Sequence, residues 1–171
     1  MGDIVENGSF DKKQRIDVVK SFFMASDFEI IDIKENAPFT CFNVCNAGRT
    51  LSLNFLLKNV VNSGWSDKPF VKRIQIMSLA NIDVPHNSGN TYSMLLGIGI
   101  VNGQPIICVW NPFLFVFHKS NRSCYVLVKS LALCHHVGFY STNDSGNDLL
   151  LSDKNNFGKL ISEYISRYEV Q

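Results

Sequence analysis

The chain of 171 residues is long enough for one domain with its own core and too short for two ordinary domains. Apolar residues make up 46% of it and charged residues 18%, which excludes a disordered chain. No apolar run approaches the ~20 residues of a membrane helix, and the opening segment MGDIVENGSFDKK lacks a signal core. We therefore expect a cytoplasmic protein without a membrane partner.

The net charge of +1 names no partner, but its distribution is uneven. Residues 36–143 carry eight basic and two acidic side chains, a net charge of +6, whereas residues 1–35 and 144–171 carry −3 and −2. A basic centre attracts phosphates. A random scatter of solvated Lys and Arg remains the alternative.

The first third of the chain predicts one helix and three strands. Asp11 can cap a helix that runs to about Met24, because apolar residues recur there at helical spacing. Strands are predicted at 28–33, 39–44 and 50–57. The link NAGRT, with Asn46 and Gly48, predicts a hairpin turn between the last two.

The middle of the chain predicts strands separated by the polar loops 62–69 and 82–91. In VKRIQIM (71–77), Ile74 and Ile76 should be buried while Arg73 and Gln75 face solvent or a ligand. Asn102-Gly103 predicts a tight turn between strands 92–101 and 104–110, because both residues tolerate positive φ.

The last third predicts strands and two helices. The predicted segments are a buried strand FLFVF (113–117), a basic turn HKSNR (118–122), a strand 123–128, a short helix closed by Gly138, a turn 141–148, a short strand 149–151, and a final helix capped by Asp153.

These elements predict an α+β fold. We expect a curled, mostly antiparallel sheet or open pseudobarrel of about six to eight strands, with an N-terminal helix, a short helix near 129–137 and a C-terminal helix. Gly97 and Gly99 indicate a bend or bulge that curls the sheet, since no helix follows them as in a dinucleotide-binding motif.

No catalytic or cofactor motif is present in the sequence, and we expect no catalytic residue, metal or cofactor. The five Cys fit free thiols, because Cys41 and Cys45 would lie ~13 Å apart on a strand, too far for one zinc ion. Two alternatives stay open: a Mg²⁺-dependent nuclease of the PD-(D/E)xK type, using Asp32-Ile33-Lys34, and a general base at His135-His136.

Three blocks resemble the specificity domains of prokaryotic restriction endonuclease systems, across about residues 50–150. They are KPFVKRIQI (68–76), LLGIGIVNGQPIICVWNPFLF (95–115) and SCYVLVKSLALCHHVGFY (123–140). Several such domains resemble the DNA-binding pseudobarrel of plant B-three transcription factors, which grip the major groove with two arms. The N-terminal and C-terminal helices depart from that pattern.

The resemblance implies sequence- or modification-specific binding of double-stranded DNA, as the target-recognition module of a bacterial antiphage system. Residues 1–171 would then be the N-terminal part of a longer protein, with a nuclease or NTPase domain or subunit as partner. Basic and amide side chains suit phosphate and base contacts. The predicted DNA-contacting residues are Arg49, Lys68, Lys72, Arg73, Gln75, Asn87, Ser88, Asn90, Lys119, Ser120, Asn121 and Arg122.

A protein- or small-ligand-binding regulatory module is the remaining alternative. It would use the apolar hairpin 95–115 or the aromatic C-terminal region.

Overall fold

Residues 2–169, which the computed structural model describes, form eleven strands and three α-helices. The strands are β1 (Val5–Glu6), β2 (Glu29–Asn36), β3 (Phe39–Asn46), β4 (Arg49–Asn59), β5 (Val61–Asn62), β6 (Val71–Ile76), β7 (Thr91–Val101), β8 (Gln104–Trp110), β9 (Arg122–Leu127), β10 (Phe139–Asp144) and β11 (Asn147–Ser152). The helices are α1 (Lys12–Met24), α2 (Val128–Val137) and α3 (Phe157–Tyr168). Among these residues, no helix combines the length and apolarity that crossing a bilayer requires.

Eight strands form the main sheet, in the order β10–β11–β8–β7–β4–β3–β2, with β1 paired to the end of β7. The pairs are antiparallel except for β4 and β7, which run parallel. A parallel pair requires a crossover, and here the intervening chain contains β5 and β6. These two strands join β9 in a small second sheet, in the order β5–β6–β9. The predicted α+β class with a curled, mostly antiparallel, open sheet is confirmed.

Two predicted hairpin turns are confirmed. Asn102 and Gly103 have φ of 50° and 77°, and β7 and β8 pair directly on either side of them. The β3–β4 turn uses Ala47 and Gly48 at its centre, with φ of 51° and 78°. Asn46 and Arg49, which flank this turn, pair with each other.

The main sheet separates two cores, because its strands bury both faces. Helices α1 and α3 cover one face, where Phe22, Phe23 and Phe157 pack against odd-numbered residues of β4 such as Leu53 and Phe55. The small sheet and α2 cover the other face, with Ile74, Cys124 and Leu131 in the core and Trp110 beside them. The molecule therefore has three layers, and the small sheet lies opposite α1 and α3.

The helix ends follow their capping residues. Asp11 and Gln14 form a reciprocal capping box at the start of α1. Gly138, with φ of 88°, ends α2 as predicted, and its N–H donates to the carbonyl of Cys134. Asp153 accepts from the backbone of Asn156 and so caps a 3-10 turn at Lys154–Asn156, after which α3 begins.

The predicted strand FLFVF is wrong. Asn111 accepts a hydrogen bond from the backbone N–H of Phe113 and, with Pro112 after it, starts a 3-10 turn over Pro112–Leu114. Leu114 and Phe117 are consequently exposed, Phe117 by 86%.

The predicted turn over residues 141–148 is also wrong in extent. Only Ser145 and Gly146 form the turn, with φ of 51° and 82°, and the flanking polar residues belong to the hairpin β10–β11. Strand β10 is the sheet edge, where Ser141 and Asn143 are exposed and Asp144 is buried, so the sequence carries no apolar alternation.

Candidate nucleic-acid interface

The small sheet presents one face to the second core and the other outward. Alternation along β6 buries Ile74 and Ile76, as predicted, and leaves Gln75 exposed and Arg73 half-buried. In the register of β6 and β9, Arg73 is opposite Tyr125 and Gln75 is opposite Ser123. We call this outward face together with the loop 62–70 the platform.

Aromatic rings form the centre of the platform. The indole of Trp65 stacks on the ring of Tyr125, with centroids 4.9 Å apart and planes inclined by 25°. The Nζ of Lys68 lies 4.7 Å from the Trp65 centroid, a distance typical of a cation–π contact. Because Tyr125 covers one face of the indole, the ammonium group lies over the other.

The rigid part of this stack is Tyr125. Its N–H donates to Oδ1 of Asn147 at 2.8 Å, and its carbonyl accepts from Nε1 of Trp110 at 3.3 Å. Trp110 is itself 1% exposed. The backbone that carries the Tyr125 ring is therefore held by the start of β11 and by the core.

Arg73 contacts the loop 62–70 from the side of the small sheet. Its Nη1 donates to Oγ of Ser123 at 3.2 Å. A Cβ placed on Gly64, where φ is 85°, would lie 3.3 Å from Nη2 of Arg73. The guanidinium thus lies between the β6–β9 strand pair and the loop 62–70. It is placed to hold the loop on the sheet more than to contact a base.

A cleft of about 340 Å³ opens beside the indole. The polar residues Asn62, Ser63 and Ser66 line it together with Trp65, Lys68 and Pro69. The hydroxyl of Ser63 accepts from the N–H of Trp65 at 3.2 Å, which fixes the turn that carries the indole. The cleft therefore combines an aromatic wall with polar edges and one cation.

The predicted basic turn adjoins the small sheet, because β9 begins at Arg122. Arg122 donates through Nη2 to Nδ1 of His118 at 2.6 Å, and since arginine has no acceptor the histidine nitrogen accepts. Lys119, Ser120 and Asn121 are exposed. In the β6–β9 register Arg122 lies three positions from Tyr125, about 10 Å along the strand.

Two predicted contact residues are buried. Lys72 shares the inward face of β6 with Ile74, and its Nζ donates to Oδ1 of Asn7 at 2.6 Å and of Asn62 at 3.0 Å. Burial lowers the pKa of Lys72. Asn87 accepts from the N–H of Ser93 at 2.9 Å. Neither side chain is placed to contact a ligand on the platform.

Three other predicted residues lie far from the platform. Arg49 starts β4, whose eleven residues span about 35 Å before the chain reaches β5. Its Nε donates to Oδ1 of Asn90 and its Nη2 to the carbonyl of Gly89, while Glu169 lies 3.7 Å away. Ser88 and Asn90 are exposed at this same end of the sheet. Of the predicted contact residues, the platform includes Lys68, Arg73 and Gln75. The turn with Lys119, Ser120, Asn121 and Arg122 lies at the other end of the β6–β9 pair, where Arg122 is opposite Ile76, and Arg49, Ser88 and Asn90 lie apart from both.

The residues proposed for a nuclease site and for a general base lie away from the platform. Asp32 is on the edge strand β2 and accepts from Nδ2 of Asn43, and nearby Glu35 pairs with Lys12. His136 pairs with Asp3 at 2.9 Å. The hydrogen bond from Asn102, followed by the contact with His136, lowers the pKa of the Asp3 carboxyl. Across residues 2–169, no three His, Cys, Asp or Glu side chains are clustered for metal binding. The hairpin 95–115 and the C-terminal aromatics of the third alternative lie largely in the two cores.

Sequence reasoning missed Trp65 and Tyr125. A tryptophan inside the polar, glycine-containing loop NSGWSDKP was the available signal, because a large aromatic in such a loop has no apolar pattern to bury it. Its pairing with Tyr125, sixty residues later, depends on tertiary contact.

A protein-family model described as methylase-associated X1 (MTaX1) matches residues 51–161, which is well over half of the chain. The matched range includes β6, β9, the loop 62–70 and the basic turn. Neither the curated proteins nor the solved structures contain a match. The likeness to the plant B-three pseudobarrel accordingly stays a prediction.

Proposed function

Since the chain belongs to the methylase-associated X1 family, we propose that it serves a bacterial restriction–modification system by binding double-stranded DNA at the platform. The family description associates it with methylases, which act on DNA in such systems. In this proposal the chain supplies target recognition, and a methylase, nuclease or NTPase, as a further domain or subunit, supplies the chemistry.

The observation that carries the proposal is the composition of the platform. Lys68 and Arg73 adjoin exposed aromatic and amide side chains there, and Lys119 and Arg122 extend the positive charge from the start of β9. Asp67 is the acidic residue of the loop. Clustered cations neutralise phosphates and release counterions, and nearby amides can read base edges.

The exposed residues of the platform and of the basic turn 118–122 divide into two proposed roles. Lys68 and Lys119 are exposed on loops and suit phosphate contacts. Gln75 and Asn121 are exposed with amide groups that suit bidentate contacts to an adenine edge. Arg73, already bonded to Ser123, is the less mobile candidate for base reading.

The test is a mobility-shift titration on random and methylated duplexes across a range of salt concentrations, with and without Mg²⁺. Lys68→Ala and Lys119→Ala should weaken binding to every sequence and reduce the slope of log K against log salt by about one unit each. Gln75→Ala or Asn121→Ala should cost about 1–3 kcal/mol at a preferred site and relax preference at one base pair.

Lys20→Ala is the matched control, because Lys20 is an exposed lysine of α1 on the opposite side of the main sheet. It should leave both affinity and salt slope unchanged. An equal loss from Lys20→Ala, or binding that ignores salt, would contradict the proposal. Mg²⁺-dependent cleavage abolished by Asp32→Asn would support the nuclease alternative, and salt-insensitive capture of a protein partner the regulatory one.

A further inference from the structure

The indole of Trp65 is poorly suited to an intact duplex. Paired and stacked bases present only their edges in the grooves, so an aromatic ring can stack on a base only after that base has left the helix. Trp65 is nevertheless 40% exposed, backed by Tyr125, and set against a cleft. A ring supported on one face in this way can stack a planar ligand on its other face, in place of the Lys68 ammonium.

We infer that the platform binds one unstacked DNA base in the cleft beside Trp65. This inference rests on the proposed DNA-binding function and adds the chemical class of the ligand. The base would stack on the face of the indole that Lys68 now covers, giving the order base, Trp65, Tyr125. Base–aromatic stacking tolerates any base, because every base has a π-face.

Lys68 has a defined part in this exchange. In the free protein its ammonium lies over the indole, and it is on an exposed loop position from which its flexible side chain can swing away. An incoming base displaces the ammonium from the ring. The displaced ammonium group then lies near the phosphates that flank the extruded nucleotide, where it can pair with their negative charge.

The cleft has the size and edges for such a ligand. Its volume of about 340 Å³ is at the lower end of the range of small-molecule sites, roughly 300–1,000 Å³. Asn62, Ser63 and Ser66 place hydrogen-bonding groups around it. Asn62 is held by the buried ammonium of Lys72, which also bonds Asn7. The wall that would meet the base edge is therefore anchored to the core side of the small sheet.

The test compares two labelled duplexes of one sequence, one fully paired and one with a single extrahelical base. Fluorescence anisotropy gives both affinities, and intrinsic tryptophan emission reports on Trp65, because the other tryptophan, Trp110, is buried. We expect tighter binding of the bulged duplex with quenching of emission. Trp65→Ala should weaken that binding roughly 5- to 100-fold and change binding of the paired duplex by less than about 2-fold.

Two variants act as controls. Trp65→Phe keeps a stacking ring and should retain part of the preference for the bulged duplex. Met24→Ala removes an apolar side chain that is 78% exposed at the end of α1, on the opposite side of the main sheet, and should change neither affinity. Thermal melting of each variant establishes that the fold is intact.

The outcomes separate this inference from the proposed function. Equal affinity for the two duplexes, unaffected by Trp65→Ala and without quenching, would overturn the inference and leave duplex binding standing. Failure to bind either duplex would overturn both. A preference for the bulged duplex that Met24→Ala removes as effectively as Trp65→Ala would also count against the cleft as the binding site.

Discussion

At the scale of single residues, Lys72 illustrates how strand alternation overrides residue type. A lysine in a basic segment was expected on the surface, yet its position two residues before Ile74 puts it on the buried face of β6. Its ammonium is bonded to two neutral amide oxygens, from Asn7 and Asn62. The cost of burying the charge is reduced by these bonds, and burial lowers the pKa of Lys72.

This lowered pKa gives a prediction with a definite sign. Between the lowered value in the folded protein and the ordinary 10.5, the unfolded chain binds more protons than the folded one. The contribution of Lys72 to stability should therefore increase with pH across that window. Lys72→Met removes the titrating group, so the free energy of unfolding of the parent should rise relative to this variant as the pH increases towards 10.5. A difference from urea titrations that stays constant over this range would contradict it.

At the scale of elements, the close packing of the small sheet on the main sheet explains Gly97. The sequence predicted a bend or bulge at Gly97 and Gly99, whereas the register of β7 with β8 is continuous through both. A Cβ at Gly97 would lie 2.6 Å from Cγ2 of Ile74 and 2.8 Å from Cγ2 of Val60. Glycine is therefore required there so that β6 can approach β7.

Gly97→Ala and Gly99→Ala form a matched pair that tests this packing. The first variant overpacks the core and should lower the free energy of unfolding by about 1–3 kcal/mol. A Cβ at Gly99 would meet Leu131 at an ordinary 3.4 Å, so the second variant should be much milder. Chemical denaturation measures both. Equal losses would show that the two sheets are not as close at Gly97 as the structure has them.

Many of the elements could be predicted from the sequence, because strong local signals agree with the fold. Alternation in VKRIQIM and the Asn102-Gly103 turn are such cases. The strand prediction for FLFVF failed because Asn111 and Pro112 start a 3-10 turn despite the apolar run that follows them. The turn prediction for residues 141–148 failed because an edge strand with polar side chains has the composition of a loop.

At the scale of the whole molecule, the three layers decide which charges can act together. The sequence predicted one basic face. The length of β4 separates Arg49 from the platform, and Arg49 forms an ion pair with Glu169 at its own end of the sheet. Lys68, Arg73, Lys119 and Arg122 do adjoin one sheet. Which side chains become neighbours depends on the strand register and on the crossover between β4 and β7, and residue types alone do not encode these. The Trp65–Tyr125 stack depends on the same register and crossover.

The central claim is that DNA binds at the platform, on the side opposite α1 and α3. Amide hydrogen exchange with and without saturating duplex tests it most directly, because each layer of the fold is then observed in one experiment. Binding at the platform predicts slower exchange in the presence of DNA over residues 62–70 and 118–125, with α1 and α3 unchanged. Protection confined to α1, α3 or residues 88–90, with none over the loop 62–70, would contradict it.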